Sequence, residues 1–405
     1  MDILSPAERT YAWGSRVALP QLSGEPTPAP YPIAERWFGA HPTGPATIDG
    51  VGLNEIISAD PIRGLGDEIA DAYEDTLPFM VKLLAADRAL SLQAHPSRAI
   101  ATEGYDHENS LGIAVDAPNR NYRDRNHKPE LIVALTPFHA LAGFRPPADT
   151  IGFLDAIDSD RLRPYRDMLD AQRDDEGLRA IFTSFITLPR SSAAELVDDV
   201  VSRLVRMLAD GTVPADMLSV CKGILELSEQ YPGDSGVLGA LLLNLVDLEP
   251  GEGLYLGEGS LHAYLSGTGI EIMANSDNVL RGGLTSKHID VPELLRVLDF
   301  SPLARPVVTT SPEFPPNAEP ADALEVERYP THAEEFYVSR LRASSDCRVE
   351  LEDPGPQIIV CTRGRAGDLA AGAGAWIAAE ASAGSLDMEA GSEIFRIRVA
   401  QMPRT

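Results

Sequence analysis

Lysine is scarce in this sequence of 405 residues. Only four of the 34 basic residues are lysines, namely Lys82, Lys128, Lys222 and Lys287. Because arginine supplies positive charge elsewhere, a position that keeps lysine is a candidate for chemistry that needs a compact ammonium or an amine able to lose its proton. Chance retention is the alternative explanation for any single lysine.

Positive charge of any kind is in the minority. The 34 basic residues stand against 61 acidic ones, which gives a net charge of −27. General nucleic-acid binding requires a basic face, and anionic lipid headgroups repel an acidic chain. The composition therefore predicts no nucleic-acid partner and no membrane partner.

Cysteines and long apolar runs are also few. Cys221, Cys347 and Cys361 are odd in number and far apart, which excludes a disulfide framework and predicts three ordinary thiols. No segment has the roughly 18–20 apolar residues of a membrane span. The N-terminal residues lack the basic and apolar parts of a signal peptide. We therefore expect a cytoplasmic protein.

Short apolar runs bounded by turn residues are typical of the first and third parts of the chain. They predict β-structure in residues 1–148 and 249–301, with strands near 79–84, 90–95, 131–135, 254–256, 261–265 and 270–273. A proline-rich stretch at 302–320 is predicted to be a linker, and short strands return in the remainder of 302–405.

Residues 149–248 have a helical pattern instead. Ser192 and Glu195 form a capping-box signature, an apolar stripe follows at i, i+4 spacing, and Gly211 is placed to end the helix. Further helices are predicted near 215–230 and 236–247. We therefore predict a mainly β chain, in which a discontinuous β-domain is interrupted by a helical insertion and followed by a C-terminal β-domain.

A strand with alternating character contains the first candidate site residues. In Ser91-Leu-Gln-Ala-His95, Ser91, Gln93 and His95 share one face. Such a polar face points to solvent, to a polar network or to a ligand. For this segment alone, a half-exposed strand is the simpler interpretation.

Two further segments add carboxylates and histidines. In Asn126-His-Lys-Pro-Glu130, an extended chain places Lys128 and Glu130 on one face and His127 on the other. His262 lies in an apolar strand, where a hydrogen-bonded core histidine is the commoner case. Glu271, between two isoleucines, is either on the polar face of an edge strand or buried for a purpose.

Four of these side chains form a set of nitrogen and oxygen ligands: Gln93, His95, Glu130 and His262. Two imidazoles, a carboxylate and an amide carbonyl suit a borderline divalent ion such as zinc. The four residues come from distant segments, so spacing alone does not establish a metal site.

Longer motifs around these residues resemble the type I phosphomannose isomerase family. They occur in the family's order and are Tyr11-Ala-Trp-Gly-Ser15, Ala34-Glu-Arg-Trp-Phe-Gly-Ala-His-Pro42, Leu77-Pro-Phe-Met-Val-Lys-Leu-Leu84, Leu90-Ser-Leu-Gln-Ala-His-Pro96, Asn126-His-Lys-Pro-Glu130 and Gly269-Ile-Glu-Ile-Met-Ala-Asn-Ser-Asp-Asn-Val-Leu-Arg-Gly-Gly-Leu-Thr-Ser-Lys287. The resemblance implies cupin or jelly-roll-like β-domains with a helical insertion. It also implies one zinc ion per chain, held by Gln93, His95, Glu130 and His262, and interconversion of mannose 6-phosphate and fructose 6-phosphate.

Aldose–ketose isomerisation requires ring opening, loss of a proton from C2, stabilisation of an enediolate and reprotonation at C1. Lys128 should face the same cavity as the metal ligands, and Glu271 is the carboxylate alternative for the base. His127 is a candidate for ring opening, and Lys82 is a further candidate if its strand packs beside Ser91. The resemblance implies an enediol route, while a hydride shift remains open.

A sugar phosphate requires local positive charge on so acidic a chain. Arg281 and Lys287 are candidates for holding the phosphate, and Arg281 is also a candidate for stabilising the enediolate. Ser91 is a candidate hydrogen-bond donor to the substrate. Trp13 is a candidate for lining the pocket, although packing alone explains a tryptophan equally well.

The C-terminal part departs from the pattern of the rest. It is rich in alanine and glycine, and its only histidine, His332, lies at its border. We expect a structural role for it and a monomer or weak homodimer overall. The alternatives for function are an isomerase of a related sugar and a non-catalytic, zinc-stabilised cupin that binds a sugar phosphate.

Overall fold

The first third of the chain consists of short strands and helices and one longer strand of eight residues, Phe79–Ala86. The structure is a computed structural model and describes residues 1–303, 306–313, 318–351, 355–381 and 384–400. The elements of this first part are β1 (Asp2–Leu4), β2 (Ala7–Arg9), α1 (Ala18–Leu22), β3 (Glu35–Gly39), β4 (Thr47–Ile48), β5 (Val51–Gly52), α2 (Leu53–Ala59), α3 (Pro61–Leu65), α4 (Asp67–Ala72), β6 (Phe79–Ala86), β7 (Leu92–Ala94), α5 (Arg98–Ser110), β8 (Glu130–Ala134) and β9 (Phe138–Phe144).

Helices fill the middle of the chain. They are α6 (Pro147–Ile157), α7 (Arg163–Ala171), α8 (Asp175–Ile186), α9 (Arg190–Asp210), a 3₁₀ turn (Ala215–Met217), α10 (Leu218–Gln230) and α11 (Ser235–Ala240). Their apolar faces share one core, in which the rings of Phe144, Phe182 and Phe300 are in mutual contact. None of the helices in the described ranges is long and apolar enough to cross a membrane.

Two of the helix predictions require correction. Helix α9 begins at Arg190 behind Pro189, so Ser192 lies inside the helix and does not cap it. Proline at the preceding position fixes φ where the chain enters the helix, and no side chain caps this end. Gly211 ends this helix in a left-handed conformation, as predicted. The helix predicted at 236–247 ends at Ala240, because the residues after it pair with a strand.

Strands make up most of the remaining chain. The elements are β10 (Leu243–Leu248), β11 (Gly253–Leu256), β12 (His262–Ala274), β13 (Leu280–Gly283), α12 (Val291–Val297), β14 (Val307–Val308), β15 (Ser311–Pro312), β16 (Ala318–Glu319), a 3₁₀ turn (Ala321–Ala323), β17 (Leu324–Tyr329), β18 (Tyr337–Ala343), β19 (Cys347–Glu350), β20 (Gln357–Arg363), β21 (Arg365–Ala366), β22 (Leu369–Ala370), β23 (Gly374–Ile377), β24 (Ser385–Met388) and β25 (Glu393–Arg398).

Two further sequence predictions differ from these bounds. The separate strands expected at 261–265 and 270–273 are one continuous strand, β12. The predicted linker at 302–320 contains β14, β15 and β16, and its residues 304–305 and 314–317 lie outside the described ranges.

Strand β12 joins two arms of the largest sheet. Its second half pairs with β6 on one side and β8 on the other, within the order β14-β11-β8-β12-β6-β3-β2. Its first half pairs with β7 and β9, which extend to β13 and β10 respectively. A single strand therefore contributes side chains to both arms, which is the arrangement that brings distant motifs together.

A second large sheet packs against the outer face of the first. Its order is β1-β23-β20-β25-β18-β17-β15. Alternate residues of β6 and β12, such as Val81 and Ile272, form one core with residues of the second sheet such as Ile358 and Phe395. The residues between them point to the inner face, where Lys82 and Glu271 lie.

Each large sheet has an edge strand that comes from the part of the chain that forms the other sheet. Strand β1 pairs with β23, and β14 pairs with β11. The division of the chain at 148, 248 and 301 stays a prediction. The strand-rich sheets with a helical segment between them agree with the predicted fold class.

Gly267 lies where β12 changes partners, from β9 at Ser266 to β6 at Gly267 itself. Its φ is +121°, and a Cβ at this position would lie 2.7 Å from the Pro137 carbonyl oxygen. Only glycine adopts this conformation readily and allows so close an approach of backbone.

We predict that Gly267→Ala destabilises the protein by about 1–3 kcal/mol, because the added methyl group meets backbone atoms in a strained conformation. The midpoint of thermal unfolding measures the effect. Gly152→Ala is the matched control, since Gly152 lies inside α6 with no atom within 4 Å of the added Cβ and should gain about 0.5–1 kcal/mol. Equal midpoints for the two variants would contradict this account of Gly267.

Candidate metal centre and active site

Three buried side chains from three strand segments meet at one point. The ligand atoms of His95, Glu130 and His262 all lie within 4.8 Å of one another. His95 Nε2 is 3.3 Å from one oxygen of Glu130, and His262 Nε2 is 3.4 Å from the other. His262 begins β12, Glu130 begins β8 and His95 follows β7, so strand pairing produces the cluster.

Backbone carbonyls orient both imidazoles. His95 Nδ1 lies 2.8 Å from the carbonyl oxygen of Asn278, and His262 Nδ1 lies 2.9 Å from that of Ser260. A carbonyl accepts only, so each Nδ1 carries the proton and each Nε2 presents a lone pair. This is the arrangement by which a second contact fixes a histidine as a metal ligand.

The converging atoms have no hydrogen-bond partner within the described structure. They are Nε2 of His95, Nε2 of His262 and Oε2 of Glu130, all buried. An unpartnered buried polar atom costs free energy, so three of them facing one point indicate a missing shared partner. Two imidazole nitrogens and a carboxylate fit zinc.

Nearby charge and burial set the protonation of these ligands. Burial, and next the ammonium of Lys128, lower the pKa of His95 to about 4, so its ring is neutral near pH 7. Burial alone would raise the pKa of Glu130, but Lys128 and His95 hold it well below its usual range. Both groups are therefore in the form that binds a metal.

Gln93 is the direct cross-strand neighbour of two site residues. In β7 it faces His262 of β12 on one side and Arg281 of β13 on the other. Directly opposed residues of antiparallel strands lie on the same face with Cβ atoms about 4.5–5.5 Å apart. The pairing therefore brings Gln93 and Arg281 to the edge of the histidine cluster.

Lys128 and His127 lie on opposite faces of their segment, as the alternation predicts. Lys128 is buried, and its Nζ is 2.9 Å from Oε1 of Glu130. His127 turns away and contacts Glu258 and Glu335. The structure thus brings Lys128 to the cluster and leaves His127 outside it.

Lys82 and Glu271 form a buried ion pair at the inner face of the sheet. Lys82 Nζ lies 2.8 Å from Oε2 of Glu271, and the hydroxyl of Tyr264 donates to Oε1 at 2.9 Å. A second carboxylate, that of Glu35, lies 3.7 Å from Lys82 and accepts a hydrogen bond from the Trp37 indole. Burial would lower the pKa of Lys82, but Glu271 and Glu35 raise it, so Lys82 is an ammonium.

The surroundings of Lys82 differ from what the sequence suggested. Its strand, β6, packs between β12 and β3 rather than beside Ser91. Glu271 lies in the central strand β12 and is buried, so the edge-strand alternative for it is wrong. Lys82 and Glu271 are directly opposite each other in the register, which explains their pairing.

Arg281, in register with Gln93, has two further basic side chains within electrostatic range, Arg123 and Lys287. No ion pair of these three with a carboxylate lies among the described residues. Burial and then Arg123 lower the pKa of Arg281, and burial, Arg281 and Arg123 lower that of Lys287. Neighbouring cations in an acidic protein attract an anion. Arg123 was not predicted from the sequence, because its loop between α5 and β8 gives no periodic signal.

Ser91 and Trp13 neighbour elements that carry site residues. Ser91 is half-buried and immediately precedes β7. Trp13 is half-buried, stacks on Tyr11 with ring centroids 5.7 Å apart, and packs with Leu90 against the apolar interior that contains Tyr264.

Asn278 is a second site residue that was not predicted from the sequence. Its carbonyl orients His95, and its side-chain amide donates to the carbonyl of Asn126 at 2.8 Å. It therefore links the loop before β13 to the segment of Lys128. Its position in the last of the family motifs was the only available signal.

The comparisons with known proteins agree with this geometry. A family model described as the catalytic domain of type I phosphomannose isomerase matches residues 1–147. The mannose-6-phosphate isomerase of Escherichia coli is 35% identical over 371 residues, which is 90% of each chain. The chain belongs to the type I phosphomannose isomerase family.

Two other relatives extend the match. The mannose-6-phosphate isomerase of Homo sapiens is 35% identical over 320 residues, which is 74% of this chain and 73% of the human one. A crystal structure of a mannose 6-phosphate isomerase bound with zinc and yttrium superposes with a TM-score of 0.85 at 32% identity, covering 99% of this chain and 100% of that one. The family resemblance and the predicted fold class of cupin-like β-domains with a helical insertion are thereby confirmed.

We predict that Lys82→Met destabilises the protein by about 3–5 kcal/mol at pH 8, because it leaves buried carboxylates without their cation. In the variant, burial raises the pKa of the Glu271 carboxyl above its value in the unfolded chain. Protonation of this carboxyl therefore offsets part of the lost stability as the pH falls towards 5. Thermal unfolding of variant and parent at pH 8 and pH 5 measures this difference. Lys222→Met, at an exposed site in α10, is the control and should change little at either pH. A Lys82→Met loss that grows on acidification would contradict the assignment.

Proposed function

We propose that this protein is a zinc-dependent mannose-6-phosphate isomerase that interconverts mannose 6-phosphate and fructose 6-phosphate through an enediol. The observation that carries the proposal is the convergence of unpartnered buried ligand atoms from His95, Glu130 and His262 beside a buried lysine. Family membership and the zinc bound by a structural relative support it. We further propose a cytoplasmic protein, which its three free, buried thiols support.

The metal would be held by His95, Glu130 and His262, with Gln93 as the fourth ligand. The register supports Gln93, because it lies directly opposite His262. Two neutral imidazoles, one amide and one carboxylate leave a net positive charge on a divalent ion. When bound, zinc supplies that charge to stabilise the oxygens of the enediolate.

The phosphate would be held by Arg123 and Lys287, with Arg281 between them and the metal ligands. Arg281 is in register with Gln93, and this register supports a position nearer the metal ligands than that of a residue in the surrounding loops. We therefore assign it to the enediolate oxygens and the other two cations to the phosphate dianion. Ser91 and Trp13 would complete the pocket wall.

Lys128 is the stronger candidate for moving the proton between C2 and C1. Both carboxylate oxygens of Glu271 already accept hydrogen bonds, from Lys82 and Tyr264. Among the described residues Lys128 has one ion pair, with Glu130, and it lies at the cluster itself. Glu271 would then fix the Lys82 ammonium as part of the positive wall of the cavity.

A non-catalytic sugar-phosphate-binding protein is the competing function. It would use the same cluster and the same basic residues without a proton-transfer group. Family membership argues against it, since the curated relatives that match most of the chain are isomerases, and the isotope and turnover experiments below separate the two functions.

Removal of zinc tests the proposed function. We predict that mannose 6-phosphate turnover, coupled to NADP reduction, is lost on chelation and returns when zinc is added back. Gel filtration and circular dichroism on the chelated sample provide the control for folding. A folded, zinc-loaded protein without turnover would overturn the proposal, and binding of mannose 6-phosphate without turnover would favour the competing function.

Two substitutions and an isotope test the proton transfer. We predict that Lys128→Met lowers kcat about 10²–10⁴-fold, the range for loss of a general base, while Glu271→Gln lowers it less because the amide still accepts from Lys82. Conversion of fructose 6-phosphate in D₂O should place deuterium at C2 of mannose 6-phosphate. The reverse order of the two variants would make Glu271 the base, and product free of deuterium after many turnovers would favour a hydride shift.

A further inference from the structure

A glutamate from the C-terminal part of the chain reaches the two segments that carry the metal ligands. Glu335 lies between β17 and β18, and its side chain is 1% exposed. The next residue, Phe336, is buried in the core between the two large sheets. That packing fixes where the carboxylate of Glu335 points.

One oxygen of Glu335 contacts both ligand-bearing segments. Oε1 accepts a hydrogen bond from Arg98 at 2.6 Å and lies 2.5 Å from Nε2 of His127. Arg98 follows His95 by three residues, and His127 precedes Glu130 by three. Through the side chains of Arg98 and His127, a single buried carboxylate therefore links the segment that contains His95 to the segment that contains Glu130.

His127 has no ring nitrogen free for chemistry. Its Nδ1 lies 2.7 Å from Glu258 and its Nε2 lies 2.5 Å from Glu335. Carboxylates accept hydrogen bonds, so the ring donates from both nitrogens and is held as an imidazolium. A group that must take or give a proton at the sugar needs one nitrogen facing the substrate, and neither does.

The other flank of the same segment is held from the opposite direction. The side-chain amide of Asn278 donates to the Asn126 carbonyl, and the same residue orients His95 through its own carbonyl. The segment that carries Lys128 is thus fixed on one side by Asn278 and on the other by His127. Asn126 is held further by Ser276, which donates to its carbonyl, and by the Asn275 carbonyl, which accepts from its side-chain amide, so loss of the His127 contact loosens one side only.

We propose that Glu335 is a positioning residue for the isomerase reaction, which acts through His127 and Arg98 to hold Lys128 and the metal ligands in place. The inference rests on the proposed function. It assigns the C-terminal part of the chain a direct part in the active site, in addition to the structural role expected from its sequence. It also replaces the ring-opening role for His127 with a positioning one.

Four properties of Glu335→Ala test the proposal: kcat, KM, the rate of zinc loss to a chelator and the thermal midpoint. We expect kcat to fall about 10-fold, KM to stay within twofold because the basic cluster is untouched, and zinc loss to be about 10-fold faster. Glu334→Ala is the matched control, since that side chain is exposed, and it should match the parent. An unchanged kcat and unchanged zinc loss in Glu335→Ala would overturn the proposal.

His127→Gln separates positioning from proton transfer. A glutamine amide still donates to Glu335, so positioning predicts a kcat within about fivefold of the parent, whereas loss of an acid–base group predicts about 10²-fold or more. His127→Ala should resemble Glu335→Ala, and the double variant should be no worse than either. A large loss in His127→Gln, or additive losses in the double variant, would contradict the proposal.

Arg98→Ala keeps the test available if Glu335→Ala fails to fold. The Arg98 side chain is 52% exposed, so its removal should be tolerated, and it should accelerate zinc loss and lower kcat less than Glu335→Ala does. Glu335→Gln, which keeps the shape and an acceptor, should fall between parent and alanine variant. A parent enzyme that itself shows no zinc-dependent turnover would instead refute the proposed function, which distinguishes the two failures.

Discussion

The buried carboxylate of Glu130 is the group around which the site is organised. It is 1% exposed and lies within contact of Lys128, His95 and His262. An isolated buried charge is so unfavourable that it must be neutralised by its neighbours. Lys128 contacts one oxygen of Glu130, and a zinc ion held with His95 and His262 would supply the remaining positive charge.

The fold satisfies this constraint with one long strand, β12, that changes partners along its length. Its first half pairs His262 with Gln93, and its second half pairs Glu271 with Lys82. The outer face of the same sheet is apolar and is covered by the second sheet, which excludes water from one side. The polar inner face is therefore the only place where the charged residues of these strands can lie.

Charge is distributed unevenly between the site and the rest of the protein. The chain has a net charge of −27, yet Arg123, Arg281 and Lys287 stand together without a carboxylate among the described residues. Such a local excess of positive charge attracts anions towards Arg281 while the remaining surface repels them. The scarcity of lysine fits this arrangement: three of the four lysines lie at the site, and Lys222 lies on an exposed face of the helical insertion.

The alternation of residues in the sequence was enough to predict which face of the segments at Gln93 and Glu130 is polar. The continuous family motifs were enough to predict the fold class. Both signals lie in short stretches of local sequence. Pairing between distant strands decided the rest. The register placed Lys82 opposite Glu271, and it made residues 243–248 a strand in spite of their helical pattern.

Arg123 and Glu335 were not predictable, because each reaches the site from a loop and neither belongs to a repeating pattern. Their positions depend on contacts between segments far apart in the chain, such as the packing of Phe336 between two sheets, and only the folded structure contains that information.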